Sequence, residues 1–199
     1  ALEIRNTILA NLEKACRTSD VEALKRIMTI VVSGGGPTGV EIAGMMAEMG
    51  KYIMEKDYPE LNGIQSRINL VDAGKTLLGP MSKKSQDEAL KQLKHLGVEV
   101  KLDVAVKDFS NNVVHLANGE AIETPTLIWV SGVIAKEAKG LPEASIGHAR
   151  RILVDAYNKV EGTENIYAIG DICLQMTDAA FPKGHPQVAQ PAIQQGQLL

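Results

Sequence analysis

The pattern of hydrophobic and polar positions changes from the period of a strand to that of a helix near residue 34. Residues 29–33, "TIVVS", form an apolar, β-branched run that leads into three consecutive glycines and then into small and apolar residues from Pro37 onward. This order is typical of a strand, a tight turn and a helix. The helix is expected to end near Tyr58, because Pro59 disfavours a helical residue before it.

Helical and strand patterns continue on both sides of this segment. Residues 2–27 have mostly helical spacing with a break at 18–20, which predicts a helical hairpin or connector. Residues 67–74, "RINLVDAG", predict a second short strand. The pattern of residues 82–97 predicts an amphipathic helix that ends at Gly97.

The remaining apolar segments complete the fold prediction. Residues 98–122 alternate at period two with Asn-Asn and Asn-Gly pairs, so they predict antiparallel hairpin strands. Residues 126–132 and 165–171 are apolar throughout, as buried strands tend to be. Strands that alternate with helices predict an α/β fold, here a Rossmann-like, doubly wound parallel sheet with a small antiparallel β insert.

Composition and charge exclude several classes of protein. A chain of 199 residues is long enough to form a buried hydrophobic core without covalent cross-links. The two cysteines, Cys16 and Cys173, lie far apart and form no CxxC pair, which excludes a dithiol redox motif and a zinc knuckle. A net charge of -3 without long runs of like charge predicts no binding to nucleic acid. No apolar run reaches the roughly 20 residues of a membrane span and no export signal is present, so we expect a cytoplasmic location.

The three-glycine turn carries a dinucleotide-binding motif. Gly34, Gly36 and Gly39 form G-x-G-x-x-G between the first strand and its helix. In that motif the glycines allow a tight turn, close approach of a pyrophosphate and close helix-strand packing, while the helix N-terminus attracts the diphosphate. Glycine-rich turns also occur for structural reasons alone. Two features favour the functional interpretation, since Ala43 continues the small-residue stripe and Asp72 closes the next strand.

Asp72 stands where the adenosine ribose would be bound. It follows Gly39 by 33 residues, which is longer than the usual interval. The alternative is that Asp72 is a plain turn residue before Gly74. Only Lys75 would offset the repulsion between this carboxylate and a 2′-phosphate, so the sequence favours NADH over NADPH.

Competing motifs do not fit. The "GKT" at 74–76 would need a glycine at position 69 to form a phosphate-binding P-loop, and that position is Asn69. No G-x-S-x-G elbow is present. The four histidines have no metal-binding or catalytic spacing, so no metal site is predicted and each is interpreted as a surface or capping residue: His95, His115, His148 and His185.

Seven segments resemble the type II NADH:quinone oxidoreductases, which are non-pumping, FAD-dependent respiratory flavoproteins. In order they are "ALEIRN", "GGGPTGVEIAG", "INLVDAG", "LGVEV", "LIWVSGV", "NIYAIGD" and "QVAQPAIQQG". The resemblance reaches most of the chain and implies a helical connector at 1–27, an NADH-binding domain at 28–138 and a return segment to an incomplete FAD-binding domain at 139–199. The missing CxxC pair turns the interpretation away from disulfide chemistry.

The resemblance implies roles for residues of the NADH-binding domain. The pyrophosphate of NADH would be held by the turn residues Gly34, Gly35, Gly36, Pro37, Thr38 and Gly39. Asp72 would bind the adenosine ribose. Glu41 would face the nicotinamide as a catalytic residue, although an acidic residue is also favoured in the first turns of a helix by the macrodipole.

A second set of residues is implied for the flavin and the quinone. Gly132 resembles a loop residue between the two cofactors, and Gly170 and Asp171 resemble the segment that binds the ribityl or phosphate part of FAD. The segment that lines the isoalloxazine and the quinone site would consist of Ala189 and the catalytic residues Gln190 and Gln194.

The resemblance also implies an activity and partners for the whole protein. Hydride would pass from NADH to FAD and electrons would pass on to a quinone, at the cytoplasmic face of the inner membrane, with a homodimer as an open alternative. Only about 28 residues precede the strand that leads into the glycine turn, so we expect this chain to be a fragment that is inactive alone. Other NAD(P)H-dependent flavin oxidoreductases, of the ferredoxin-reductase or sulfide:quinone reductase type, and a non-catalytic nucleotide-binding redox module remain alternatives.

Overall fold

Helices and strands alternate along the chain as the hydrophobic pattern predicts. A computed structural model describes residues 2–61, 63–64 and 66–199. In chain order its elements are α1 (Leu2–Cys16), α2 (Val21–Ile27), β1 (Thr29–Ser33), α3 (Pro37–Asp57), β2 (Arg67–Val71), α4 (Lys83–His95), β3 (Glu99–Lys101), β4 (Val106–Ser110), β5 (Val113–Leu116), β6 (Ala121–Glu123), β7 (Thr126–Trp129), β8 (Ile152–Val154), β9 (Cys173–Gln175) and α5 (Ala189–Leu198).

A four-stranded parallel sheet with the order β3-β2-β1-β7 forms the centre of the amino-terminal part. Its side chains alternate between two faces, as the pleat of a strand requires. Val32, Leu70 and Ile128 are buried beneath helices α1, α3 and α4. Val31 and Val71 are buried on the opposite face in a cluster with the small sheet β4-β5-β6. The predicted α/β fold with a parallel sheet and an antiparallel insert is therefore confirmed.

Side-chain caps mark where helices α2 and α4 begin. The predicted break at 18–20 is confirmed, since the Asp20 side chain accepts hydrogen bonds from the Glu22 and Ala23 amides at the start of α2. The side chain of Ser82 accepts from the Ser85 amide at the start of α4. Gly97, with a φ of +86°, follows the end of α4.

The prediction that residues 98–122 form only antiparallel hairpins is wrong at its first strand. β3 pairs in parallel with β2, in the register Leu70 to Val100. Helix α4 connects the two strands, and such a crossover returns the chain alongside β2 in the same direction. The period-two pattern predicts that β3 is a strand but does not indicate which strand it pairs with. Strands β4, β5 and β6 are antiparallel as predicted.

The prediction of buried strands over 126–132 and 165–171 also needs correction. Strand β7 ends at Trp129, whose side chain is 57% exposed. Residues 165–171 make a single bridge, between Tyr167 and Lys159, and then enter a 3-10 turn at Gly170. The strand of this region is β9, which follows the apolar run and pairs in parallel with β8.

The described residues divide into a first unit that ends at Ser131 and a second unit that begins at Gly132. The functional domains predicted at 1–27, 28–138 and 139–199 stay a prediction. Three positions within those predicted domains lie outside the described residues: Ala1, Asn62 and Gln65. None of the described helices combines the length and the apolar character that a bilayer span requires.

Lys101 connects the parallel sheet to the antiparallel insert. Its ammonium group lies 2.8 Å from a carboxylate oxygen of Glu99 and 2.8 Å from one of Glu120, in the turn between β5 and β6. The Lys101 side chain is 19% exposed, so solvent screens these ion pairs less than the other charged pairs of this unit. The hydrogen bond to Glu120, and then that to Glu99, raise the pKa of Lys101.

Substitution of Lys101 should weaken the first unit. We expect Lys101→Met to lower the free energy of unfolding by about 1 kcal/mol in urea titrations at neutral pH. Because the pKa is higher in the folded than in the unfolded state, this stabilisation is fully present at neutral pH and is lost as the pH rises through the folded-state pKa. Lys91→Met, which removes a 75% exposed ammonium group 3.9 Å from Glu88, is the control and should leave stability nearly unchanged. Equal losses in the two variants would contradict this role.

Candidate functional site

The glycine turn after β1 needs its first glycine for backbone reasons. Gly34 has a φ of +126°, and its amide donates to the Val71 carbonyl at 2.8 Å. A Cβ at Gly34 would lie 3.0 Å from the Ser131 nitrogen. Only glycine adopts this conformation without strain. The first position of the predicted motif therefore makes the tight turn.

The third motif glycine brings helix α3 against this turn. Gly39 is buried, and a Cβ at this position would overlap the carbonyl oxygen of Gly34. The neighbouring atom belongs to the backbone, so a side-chain rotation cannot relieve the overlap. Close packing of the helix on the strand, the role expected for the third glycine, is present in the structure.

The second motif glycine borders open space. Gly36 is exposed and precedes α3 as its N-cap, and no atom lies within 4 Å of a Cβ added there. Pro37 is the first helical residue, which suits a ring that has no N–H to leave unpaired. The first amides of α3 have no partner within the helix, and the positive end of the helix dipole lies at this terminus. The geometry fits the diphosphate of a dinucleotide.

Asp72 holds the turn in shape. One carboxylate oxygen accepts the Gly35 amide at 2.6 Å and the other accepts the Gly74 amide at 2.6 Å. The bond to Gly74 is the turn contact that the alternative interpretation of Asp72 describes. The bond to Gly35 was not predicted. An aspartate that bonds a backbone amide two residues later is a recognisable Asx-turn signal, whereas a bond to Gly35 across the sheet has no local signal.

Glu41 lies on the exposed side of α3 near this turn. It is the fifth residue of the helix, and the first turn contains no acidic residue. Since dipole effects fall off within the first turn, the macrodipole explains Glu41 only weakly. Among the described residues the Glu41 carboxylate has no hydrogen-bond or ion-pair partner within the usual distance limits. The carboxylate is therefore accessible from solvent.

The second unit contains the residues expected near the flavin. Gly132, with a φ of +68°, begins it and has open space where a Cβ would lie. Gly170 has a φ of +70° in the 3-10 turn that precedes β9. The Asp171 side chain is exposed, and its backbone carbonyl accepts a hydrogen bond from Gln187 at 3.1 Å. An exposed carboxylate here fits a ligand that offers hydroxyl groups.

Helix α5 carries the remaining candidate residues. Ala189 is its first residue, and Gln190 and Gln194 are exposed and lie on one face because they are four positions apart. The helix is held to Gly170 by Gln195, a buried residue that was not predicted as functional. No hydrophobic periodicity indicates a buried glutamine, so the sequence offered no signal for it.

Hydrogen bonds also order the loop before α5. Arg151 donates to the His185 carbonyl at 3.2 Å, and burial lowers the pKa of its guanidinium. The His185 ring lies 3.0 Å from a carboxylate oxygen of Asp178, and this hydrogen bond lowers the pKa of Asp178. The interpretation of His185 as a surface or capping residue is compatible with this contact.

The cysteines show no reactive environment. Both are free thiols, and burial raises the pKa of Cys173 and that of Cys16. A raised pKa keeps a thiol protonated and poorly nucleophilic. Within 2–61, 63–64 and 66–199, no cluster of three His, Cys, Asp or Glu side chains could hold a metal ion.

Comparisons with known proteins agree with the motif. The family model described as pyridine nucleotide-disulphide oxidoreductase matches residues 5–196. Two type II NADH:quinone oxidoreductases of Mycobacterium tuberculosis, Ndh and NdhA, are 34% and 32% identical to 98% of this chain. This chain covers 42% of the length of each of these two relatives.

Solved structures show the same similarity. The structure of NDH2 from Plasmodium falciparum in complex with NADH has a TM-score of 0.71 and 27% identity, over 88% of this chain and 38% of that chain. A ferredoxin reductase from Rhodopseudomonas palustris has a TM-score of 0.63 at 19% identity, over 88% of this chain and 42% of that chain, and shows the fold alone.

The two glycines of the turn should respond differently to alanine. We expect Gly39→Ala to lower the free energy of unfolding by about 3 kcal/mol or more, because its methyl group would overlap backbone atoms. Gly36→Ala should change it by less than about 1 kcal/mol, since the methyl group would enter open space at a φ of -73°. Urea unfolding of both variants measures the difference. Similar losses would contradict the turn geometry.

Proposed function

The chain belongs to the pyridine nucleotide-disulphide oxidoreductase family, and on that premise we propose that its first unit is the NADH-binding domain of a type II NADH:quinone oxidoreductase. The observation that carries this proposal is the open space at Gly36, directly before the N-terminus of α3. The M. tuberculosis relatives carry this enzyme name, and the P. falciparum relative was solved with NADH.

The turn residues would hold the pyrophosphate of NADH. Gly34 and Gly39 shape the turn, and Gly36 leaves room for the diphosphate. Thr38 lies in the first turn of α3, where backbone amides have no partner within the helix. The Gly35 amide already donates to Asp72, so its contribution is to fix the turn. Backbone donors of this kind bind a diphosphate with little reorganisation.

Asp72 would bind the adenosine ribose through lone pairs that its backbone contacts leave free. Each carboxylate oxygen accepts one amide, and an ionised carboxylate offers about four acceptor sites. The two backbone bonds would also orient the carboxylate before NADH binds. Its negative charge disfavours a 2′-phosphate, which is the basis for preferring NADH over NADPH.

The second unit would contribute to an FAD and quinone site in the whole protein. When bound, the nicotinamide and the flavin would supply the chemistry of hydride transfer and of electron transfer to a quinone. The exposed carboxylate of Asp171 would accept hydrogen bonds from hydroxyl groups of the flavin. Gly132 and Gly170 would allow the backbone to approach the flavin closely. Ala189, Gln190 and Gln194 would line the isoalloxazine and quinone side. Further FAD contacts would come from segments of the whole protein that correspond to the part of the relatives that this chain does not cover.

Glu41 would face the nicotinamide and influence its binding or orientation. The exposed carboxylate belongs to the second residue after the glycine motif on α3 and has no ion-pair partner among the described residues. No acid-base step is needed from the protein for hydride transfer itself, so this role is one of orientation and electrostatics.

NADH binding should depend on both Gly36 and Asp72, and in different ways. We expect the protein to bind NADH with a Kd in the micromolar to millimolar range, roughly -8 to -4 kcal/mol. Gly36→Ala should weaken binding at least about tenfold by occupying the diphosphate space while stability changes little. Asp72→Ala should weaken binding by a similar factor and also lower stability by about 1.5–3 kcal/mol, because two charge-assisted hydrogen bonds are lost. Calorimetric titration and urea unfolding measure the two effects, and no saturation at several millimolar NADH would contradict the proposal.

Glu41→Gln should change NADH affinity or the rate of flavin reduction in the full-length protein and leave the fold intact. Stopped-flow measurement of flavin reduction at varied NADH tests this. Glu48→Gln is a matched control, since Glu48 is exposed on the same face of α3 and lies about 10 Å farther from the turn along the helix. Equal behaviour of Glu41→Gln, Glu48→Gln and the unchanged protein would favour the helix-dipole interpretation.

A further inference from the structure

Helix α5 buries a polar residue and exposes its large apolar ones. Of its ten residues, all of them described, only Gln195 is buried, with 7% of its surface exposed. Ile193 and Leu198 on the same helix are 53% and 54% exposed. Burial of apolar area therefore does not determine which face of α5 points inward. The inward face carries the hydrogen bonds of Gln195.

Gln195 bonds to the two ends of the 3-10 turn that carries Asp171. Its side-chain oxygen accepts the Gly170 amide at 2.7 Å and the Cys173 thiol at 3.4 Å. Its side-chain nitrogen donates to the Cys173 sulfur at 3.2 Å. Among the described residues, the Gly170 amide has no backbone acceptor. Gln195 thus supplies the side-chain acceptor for the Gly170 amide.

Close packing accompanies these bonds. A Cβ at Gly170 would lie 3.5 Å from the Cβ of Ala192, so the turn approaches the helix within van der Waals contact. The start of α5 has no side-chain cap, and Gln187 donates to the Asp171 carbonyl at 3.1 Å. The position of α5 along the turn therefore depends on a small number of directional contacts, of which the Gln195 contacts are the most buried.

We propose that Gln195 is a positioning residue that fixes Gln190 and Gln194 relative to Asp171. This inference rests on the proposed function, in which the Asp171 turn contacts the flavin and the two exposed glutamines line the quinone side. Gln195 itself is buried, and its side chain bonds to Gly170 and Cys173. Its amide group links the two contact segments through Gly170, and a shift of α5 would move both glutamines together.

A nonpolar residue of similar length would remove this link and keep the burial. In Gln195→Met the Gly170 amide loses its acceptor, so the turn and the helix are free to move apart. A displacement of about 1 Å at a binding site can change rates about a hundredfold, so the effect on the quinone should be large compared with that on NADH. The NADH turn belongs to the first unit, whereas Gly170 and Cys173, the hydrogen-bond partners of Gln195, belong to the second.

The test uses the full-length protein purified with its flavin. We expect Gln195→Met to shift the visible absorption bands and the midpoint potential of the bound flavin, and to raise the KM for a soluble quinone analogue roughly tenfold or more at unchanged KM for NADH. The matched control is Gln197→Met, which changes an exposed glutamine two positions later on the same helix. Identical spectra, potentials and quinone KM values in the two variants would overturn the inference.

A second variant provides rescue. A buried carboxyl group at position 195 resists ionisation, and in Gln195→Glu the protonated form presents both an acceptor for Gly170 and a donor for Cys173. We expect the quinone KM of Gln195→Glu to approach that of the unchanged protein at low pH and to rise as the pH passes the pKa of this carboxyl. A flat pH profile, relative to the unchanged protein, would count against the inference even if Gln195→Met failed to fold.

The unchanged protein separates this inference from the proposed function. Bound flavin together with NADH:quinone turnover supports the proposed function, whatever Gln195→Met does. Absence of both would refute the proposed function and, with it, the role of Gln195. Turnover that is unaffected by Gln195→Met would refute only the positioning role.

Discussion

The carboxylate of Asp72 joins the carboxyl ends of two neighbouring strands, and the shape of the candidate nucleotide site depends on it. Strands β1 and β2 run in parallel, so the chain leaves both at the same edge of the sheet. At that edge the Asp72 carboxylate accepts a hydrogen bond from the Gly35 amide in the turn after β1. It accepts a second one from the Gly74 amide in its own turn. Without such an acceptor, the buried Gly35 would carry an unsatisfied amide, which is more costly than a weak hydrogen bond.

The rest of the turn builds on this connection. The Gly35 carbonyl accepts the Leu78 amide at 2.8 Å, so the segment after β2 is also tied to the glycine turn. Gly34 and Gly39 then allow the first turn of α3 to approach the strand end. Backbone atoms lie close to Gly34 and Gly39, whereas the space at Gly36 stays open. The candidate diphosphate site thus results from the close packing of the backbone around Gly34 and Gly39.

The parts of this arrangement that follow local rules could be predicted from the sequence. The roles of Gly34 and Gly39 come from backbone geometry within a few residues, and their spacing carries that information. Parallel pairing of β3 with β2 depends on a crossover through α4. The alternation of apolar and polar residues over 98–122 does not indicate this pairing. The run at 165–171 is apolar although Tyr167 is 50% exposed, so an apolar pattern alone did not indicate a buried strand. The contacts of Asp72 with Gly35 and of Gln195 with Gly170 connect residues 37 and 25 positions apart, which no local pattern specifies.

Both candidate sites use the same physical device. In each unit, a side chain from outside the turn accepts a hydrogen bond from the amide of a glycine in a turn next to a strand. Asp72 is the acceptor for Gly35, and Gln195 is the acceptor for Gly170. A ligand-binding turn must leave some backbone groups free for the ligand, and a turn with free groups is held by few bonds of its own. An external acceptor stabilises such a turn without covering the groups that face the ligand. The charged acceptor, Asp72, is half-buried beside Gly35, and the neutral acceptor, Gln195, is buried beside Gly170. This difference agrees with the high free-energy cost of placing an unpaired charge in an apolar interior.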